Sequence, residues 1–297
     1  MLLISYYIQM PELPEVETIK RGLEKNIVGK TIFDFDCNWH KMINYKIADF
    51  RLRIKGLKVM GLRRRAKMLI IDLSRSRHIL IHLKMTGQLV YGSKVKCLVG
   101  GHPIKEGFEC LPNKFTHATF TFTDKSHLYF NDIRKFGWLR LYDTKELLEQ
   151  LDKLKLGPEP LSAEFTLDYL QLAMSKRPNN KIKQFLMDNK IVVGIGNIYS
   201  DEVCFYARVR PDRKVKTLTG KEIKLIYQGI KKILTASIKA QGTTFSNYRN
   251  ANGEAGAYSK QLKVYGCYGE KCKVCGTIIK KMTIGGRTSS YCPKDQK

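Results

Sequence analysis

Acidic residues are scarce: 27 Asp and Glu stand against 53 Lys and Arg over 297 residues, which leaves a formal net charge of +26. That excess favours a polyanionic partner, nucleic acid or an anionic membrane surface, and by itself selects no reaction. No run approaches the roughly 18 apolar residues of a membrane helix, so nothing is expected to span a bilayer. The apolar start, Leu2 to Ile8, has no Lys or Arg before it and no small-residue cleavage site after it. A secretory signal is therefore not expected, and the chain reads as intracellular. Cysteines are thinly spread at Cys37, Cys97, Cys110 and Cys204 but crowd in the tail as Cys267, Cys272, Cys275 and Cys292. This distribution excludes a disulfide scaffold and favours a local metal knuckle. Histidine is absent beyond His127, so the tail offers no Cys/His metal site. What remains, a 43% apolar chain, is enough for roughly two domains with a buried core.

The first half is β-like. Leu57–Leu62, Met68–Leu73, His78–Leu83, His117–Phe122 and His127–Phe130 are short runs separated by charged or Gly/Asn/Asp punctuation. They are too closely spaced for βαβ crossovers, which predicts an antiparallel sandwich or barrel. One amphipathic helix, from about Glu12 to Asn26, precedes them, with Val16, Ile19 and Leu23 at helical spacing. The second half is helical: Thr219-Gly-Lys-Glu222 matches a capping box, and Ile223, Ile226, Ile230, Ile233 and Ile238 continue a 3.6-residue stripe. Leu156-Gly-Pro-Glu-Pro160 is the expected hinge, and Gly242–Tyr258 an exposed loop. The expected class is α+β, divided as an N-terminal sandwich (10–145), a hinge (146–160), a helical domain (161–260) and a basic hairpin (261–297). Residues 1–9 are expected to be missing from the mature protein.

The chemistry begins at Met10-Pro-Glu-Leu-Pro-Glu-Val-Glu17. Removal of everything through Met10 would give Pro11 a free secondary amine, and an α-amino group has a pKa far below that of Lys. Such a nitrogen attacks an anomeric carbon to form a Schiff base, while Glu12 supplies the proton. The plainer alternative is that Pro11 opens a helix whose dipole the glutamates complement.

This octapeptide resembles the N-terminus of the formamidopyrimidine-DNA glycosylases, base-excision repair enzymes, and further motifs agree in the same order. Arg64-Arg-Ala-Lys67 resembles a family signature that casts Lys67 as a phosphate contact and a proton donor in elimination. His82-Leu-Lys-Met85-Thr-Gly87 resembles a His-Leu-Gly-Met-Ser-Gly turn, in which Met85 wedges into the duplex and His82 helps hold the backbone. Lys84 replaces that turn's Gly, and the change is expected to alter it. Asn131-Asp-Ile-Arg134-Lys-Phe136-Gly137 resembles a void-filling loop, with Arg134 on the orphaned base and Phe136 stacked between base pairs. Lys183 through Glu202 resembles a helix–two-turn–helix element, with Lys183 and Asn197 as backbone contacts beside Gly194 and Gly196. A dinucleotide-binding loop is the competing motif, and it fails for want of a third Gly and a βαβ context.

The tail resembles the family's zinc finger, with Arg287 as the phosphate-binding arginine. The fourth cysteine of that pattern is missing: Cys272, Cys275 and Cys292 remain, and either Asp295 or Cys267 completes the set. The resemblance implies one structural zinc and no redox or nucleotide cofactor. It further implies a monomer that bends double-stranded DNA carrying oxidised bases or abasic sites. The implied reaction is glycosidic hydrolysis followed by β- and δ-elimination. A loop containing Gly253, Gly256 and Tyr258 favours 8-oxoguanine and ring-opened purines. Oxidised pyrimidines are the alternative substrates, and a non-catalytic damaged-DNA binder is the alternative of another class.

Overall fold

Short apolar-rich runs build two antiparallel sheets in the first half of the chain. The computed structural model describes residues 10–92, 97–101, 111–243 and 257–297. Helix α1 (Leu13–Ile27) comes first, followed by strand β1 (Ile32–Cys37), helix α2 (Ile47–Ile54), β2 (Val59–Arg65), β3 (Met68–Leu73) and β4 (Arg77–His82). Next come β5 (Gly87–Gly92), β6 (Cys97–Gly101), β7 (Thr116–Phe122), β8 (His127–Asp132), β9 (Trp138–Asp143) and helix α3 (Thr144–Lys153). One sheet runs β1-β7-β8-β5-β6 and the other β2-β3-β4-β9, with every described pairing antiparallel. Phe35, Phe120 and Phe130 from the first sheet pack with Leu69, Ile79 and Leu141 from the second and with Ile19 and Leu23 of α1. This shared core makes the half a sandwich covered by α1.

The second half is helical: α4 (Leu167–Ser175), α5 (Ile182–Met187), α6 (Asn197–Tyr206) and α7 (Gly220–Lys239), then a hairpin of β10 (Lys280–Ile284) and β11 (Arg287–Tyr291). α7 starts where the capping box places it: Glu222 accepts from Thr219 N at 2.7 Å, and Thr219 Oγ1 accepts from Glu222 N at 3.3 Å. Ile226, Ile230 and Ile233 then bury its apolar stripe. The chain divides into two compact units, Met1–Lys153 with Ala240–Ser259, and Leu154–Lys239 with Lys260–Lys297. No helix among the described residues is long and apolar enough to cross a membrane.

Candidate catalytic and nucleic-acid-binding sites

Pro11 lies just ahead of α1 and is buried with its neighbour Glu12. The proline of the helix's first turn is Pro14, so the helix-opening role that Pro11 offered is already filled. Glu12 is the N-cap: its carboxylate accepts from the Glu15 amide, and its own N–H donates to Glu15 Oε2 at 3.0 Å. The other oxygen of Glu15 accepts from Thr243 N and Thr243 Oγ1, at 2.8 and 2.9 Å. One carboxylate therefore ties the start of α1 to the neck of the segment that follows Thr243. Gly253 and Gly256 lie outside the described residues; Tyr258 is buried, and its N–H donates to Gly242 O.

Lys67 sits half-buried at the β2–β3 turn. Arg64 fixes that turn, donating to Ala66 O at 2.9 Å and pairing with Glu17 of α1 at 3.0 Å. Nearby His82 is held neutral, its pKa down at about 3, because burial and the charges of Lys84 and Lys67 all disfavour the imidazolium. Its Nδ1 accepts the Lys84 N–H at 2.9 Å. Lys84 adopts φ +54°, a left-handed conformation to which glycine is suited and which costs another residue roughly 1–2 kcal/mol.

Met85, Arg134 and Phe136 converge. Arg134 Nη1 donates to Met85 Sδ at 3.3 Å, and its guanidinium lies 4.7 Å from the Phe136 ring centroid. Phe136 is 49% exposed, an aromatic face offered outward on a short loop. What holds the loop is Asp132, fully buried, which accepts from Thr86 Oγ1, Arg134 N (3.1 Å) and Gly137 N (2.7 Å). Asp132 thereby binds the Met85 turn to the Arg134–Phe136 loop. The sequence reading missed it because an aspartate beside a loop reads as a surface residue.

In the second unit, Gly196 is the N-cap of α6 and has no side chain to cap it; the start of a helix carries the positive end of its dipole. Asn197 is half-buried there. Lys183 does not belong with it. Its side chain is 1% exposed and its ammonium pairs with buried Asp201 at 2.7 Å, so it has no surface with which to meet a phosphate. That reading is corrected: the lysine is the internal partner of an acid 18 positions away. Burial pushes the carboxyls of Asp201 and Glu202 up from the ordinary carboxylate range, against the pull of their donors.

Arg287 is exposed as the first residue of β11. The turn before it has Gly285 at φ +55° and Gly286 at φ +72°, two positive values that a type I′ hairpin requires. Farther along, the Sγ atoms of Cys272, Cys275 and Cys292 and a carboxylate oxygen of Asp295 all lie within 4.8 Å of one another. Cys275 and Cys292 sulfurs are 3.5 Å apart, close to the roughly 3.8 Å edge of a tetrahedron with 2.3 Å zinc–sulfur bonds. The Val274 and Asp295 amides donate to the sulfurs of Cys272 and Cys292, as suits thiolates. Three thiolates and one carboxylate thus fit a tetrahedral zinc. Cys267 stands outside the set; its thiol, against Tyr265 O at 3.6 Å, is pushed up to about 11 by burial.

Known proteins match in the same order. Residues 10–139 match the formamidopyrimidine-DNA glycosylase N-terminal domain, 156–249 the H2TH domain of the same enzymes, and 269–297 the zinc finger found in FPG and IleRS. A formamidopyrimidine-DNA glycosylase of Bacillus cereus is 39% identical over 288 residues, covering 96% of this chain and 98% of its own. A Lactococcus lactis Fpg complexed with abasic-site DNA superposes with a TM-score of 0.86 at 32% identity, covering 96% of this chain and 99% of that one. MutM in complex with DNA containing carbocyclic 8-oxo-G gives 0.85 at 32% identity, covering 97% and 100%. The chain belongs to the formamidopyrimidine-DNA glycosylase family, DNA glycosylases of DNA repair.

Proposed function

We propose that this glycosylase excises oxidised purines, 8-oxoguanine and formamidopyrimidines, from double-stranded DNA and then cleaves the strand as a lyase. The observation that carries the reading is Pro11 set ahead of α1 beside the buried Glu12. Once Pro11 is the first residue, the positive end of the helix dipole favours its neutral amine. The nitrogen lone pair bonds to C1′ of the damaged nucleotide as the glycosidic bond breaks and the base leaves with a proton. Glu12 protonates the ring oxygen, and the opened sugar becomes an iminium on Pro11. Loss of a C2′ proton then expels the 3′ phosphate, and a second elimination expels the 5′ phosphate, with Lys67 moving the protons. Met85, Arg134 and Phe136 fill the space left by the extruded nucleotide, while Lys67, Asn197 and Arg287 hold backbone phosphates.

These groups are separable by salt. Lys67→Ala or Arg287→Ala is expected to lower the slope of log affinity against log salt by about 1. Phe136→Ala leaves the slope alone and weakens discrimination of damaged from intact DNA. Binding measured across a salt series checks this, and an unchanged slope in both basic variants removes them from the phosphate contacts.

The finger's zinc is held by Cys272, Cys275, Cys292 and Asp295 in this reading. When bound, zinc supplies structural closure of the knuckle and no step of the reaction. Asp295→Ala is expected to weaken zinc by at least about tenfold, since even outer partners of a ligand are worth that much. Asp295→Cys tightens it, and Cys267→Ala changes nothing. Chelator competition monitored by metal release reads all three; a Cys267→Ala loss equal to that of Asp295→Ala would reassign the fourth ligand.

A further inference from the structure

We propose that Asp201 and Glu202 are positioning residues that dock the finger onto α6 and so fix Arg287 relative to Asn197 at the start of the same helix. The proposal rests on reading Arg287 as a phosphate contact. Asp201, fully buried, accepts from Ser289 Oγ and from Ser290 N at 2.9 Å, both on β11. Its counter-ion Lys183 donates in turn to Thr288 O at 3.2 Å, so three consecutive residues following Arg287 are gripped. The adjacent Glu202 accepts backbone N–H groups from Lys263 (3.0 Å), Val264 (2.9 Å) and Tyr265 (2.9 Å), on the segment leading into the finger. Two neighbouring carboxylates thus hold the finger at both its entry and its hairpin.

A two-stranded hairpin is marginal by itself, so its orientation has to come from contacts outside it. A well-packed apolar patch would serve adhesion as well as buried ions do. Charged acceptors aimed at named N–H and O–H groups add direction and register. The grip uses none of the metal ligands: Asp201 and Glu202 touch neither the three cysteines nor Asp295 in any of these bonds. Arg287 therefore stands where α6 puts it, and α6 also presents Asn197.

The test combines hydrogen exchange with salt-dependent binding on full-length protein and abasic-site DNA. In Asp201→Asn the Ser290 amide is expected to exchange about tenfold faster or more. In that background Arg287→Ala takes away much less of the salt slope than the value of about 1 it removes from wild type. Ser289→Ala deletes one hydroxyl without unpairing Lys183, and should show the same non-additivity in weaker form if Asp201→Asn fails to fold. Full, additive loss from Arg287→Ala in both backgrounds overturns the proposal, as does unchanged Ser290 protection. A wild-type slope indifferent to Arg287, with Ser290 still exposed to exchange in Asp201→Asn, rejects the phosphate reading while supporting the dock.

Discussion

A protein in which Pro11 remains joined to Met10 is expected to give no borohydride-stable adduct with damaged DNA. In that state the Pro11 nitrogen is a tertiary amide whose lone pair is delocalised into the carbonyl, and it has no proton to lose and no pair to donate. A chain beginning at Pro11 carries a secondary amine, and borohydride reduces its iminium to a permanent link. The two chains differ at the nitrogen and little elsewhere, because α1 begins only at Leu13 and its first-turn proline is Pro14. DNA binding should persist in the extended form, since Met85, Arg134, Phe136, Asn197 and Arg287 are untouched. Trapping followed by peptide mapping decides the matter. An adduct on Lys67 or another lysine, formed at full rate with Pro11 blocked, would falsify the assignment of the nucleophile.

Glu12→Gln should come next in size: a fall in base excision of roughly 100- to 10,000-fold, the range for a positioned general acid. The capping geometry makes this a clean substitution. The N-cap bond needs only an acceptor oxygen for the Glu15 amide, and a glutamine carbonyl supplies one. The helix start should therefore survive while the transferable proton is lost. On a preformed abasic site no base has to leave, so the variant should still yield the reduced adduct. Single-turnover release of 8-oxoguanine beside trapping on abasic DNA separates the two steps. Equal losses on both substrates would make Glu12 a structural cap and nothing more.

Much of the sandwich was legible because its strands are marked by apolar content. Met68–Leu73 is a strand with the bounds its composition gives, and α1 differs from its expected span by one residue at each end. β1, α2, β5, β6, β9 and α3 escaped notice. Ile32–Cys37 carries Asp at two of six positions, α2 is only two turns long, and the glycines ending β5 read as turn residues. At the sites, the resemblance groups Met85, Arg134 and Phe136, and the fold brings them into contact, yet nothing local reveals the aspartate beneath them. Lys183 was misplaced for a related reason: a fully buried lysine is rare, and only the fold brings Asp201 to it. Asp295 and Cys267 were equal candidates in the sequence, and only the fold, which brings Asp295 to the three sulfurs, separates them.

The neck at residues 240–243 and 257–258 separates two kinds of change. Ala257 N donates to Ala240 O, Tyr258 N donates to Gly242 O, and Thr243 is held by Glu15. Both ends of the intervening stretch are thus pinned beside α1. If that stretch reads the damaged base, a graft that keeps both ends keeps its attachment to α1. Lesion preference then becomes an exchangeable module, open to grafting between relatives, with the bond-breaking groups as a fixed chassis.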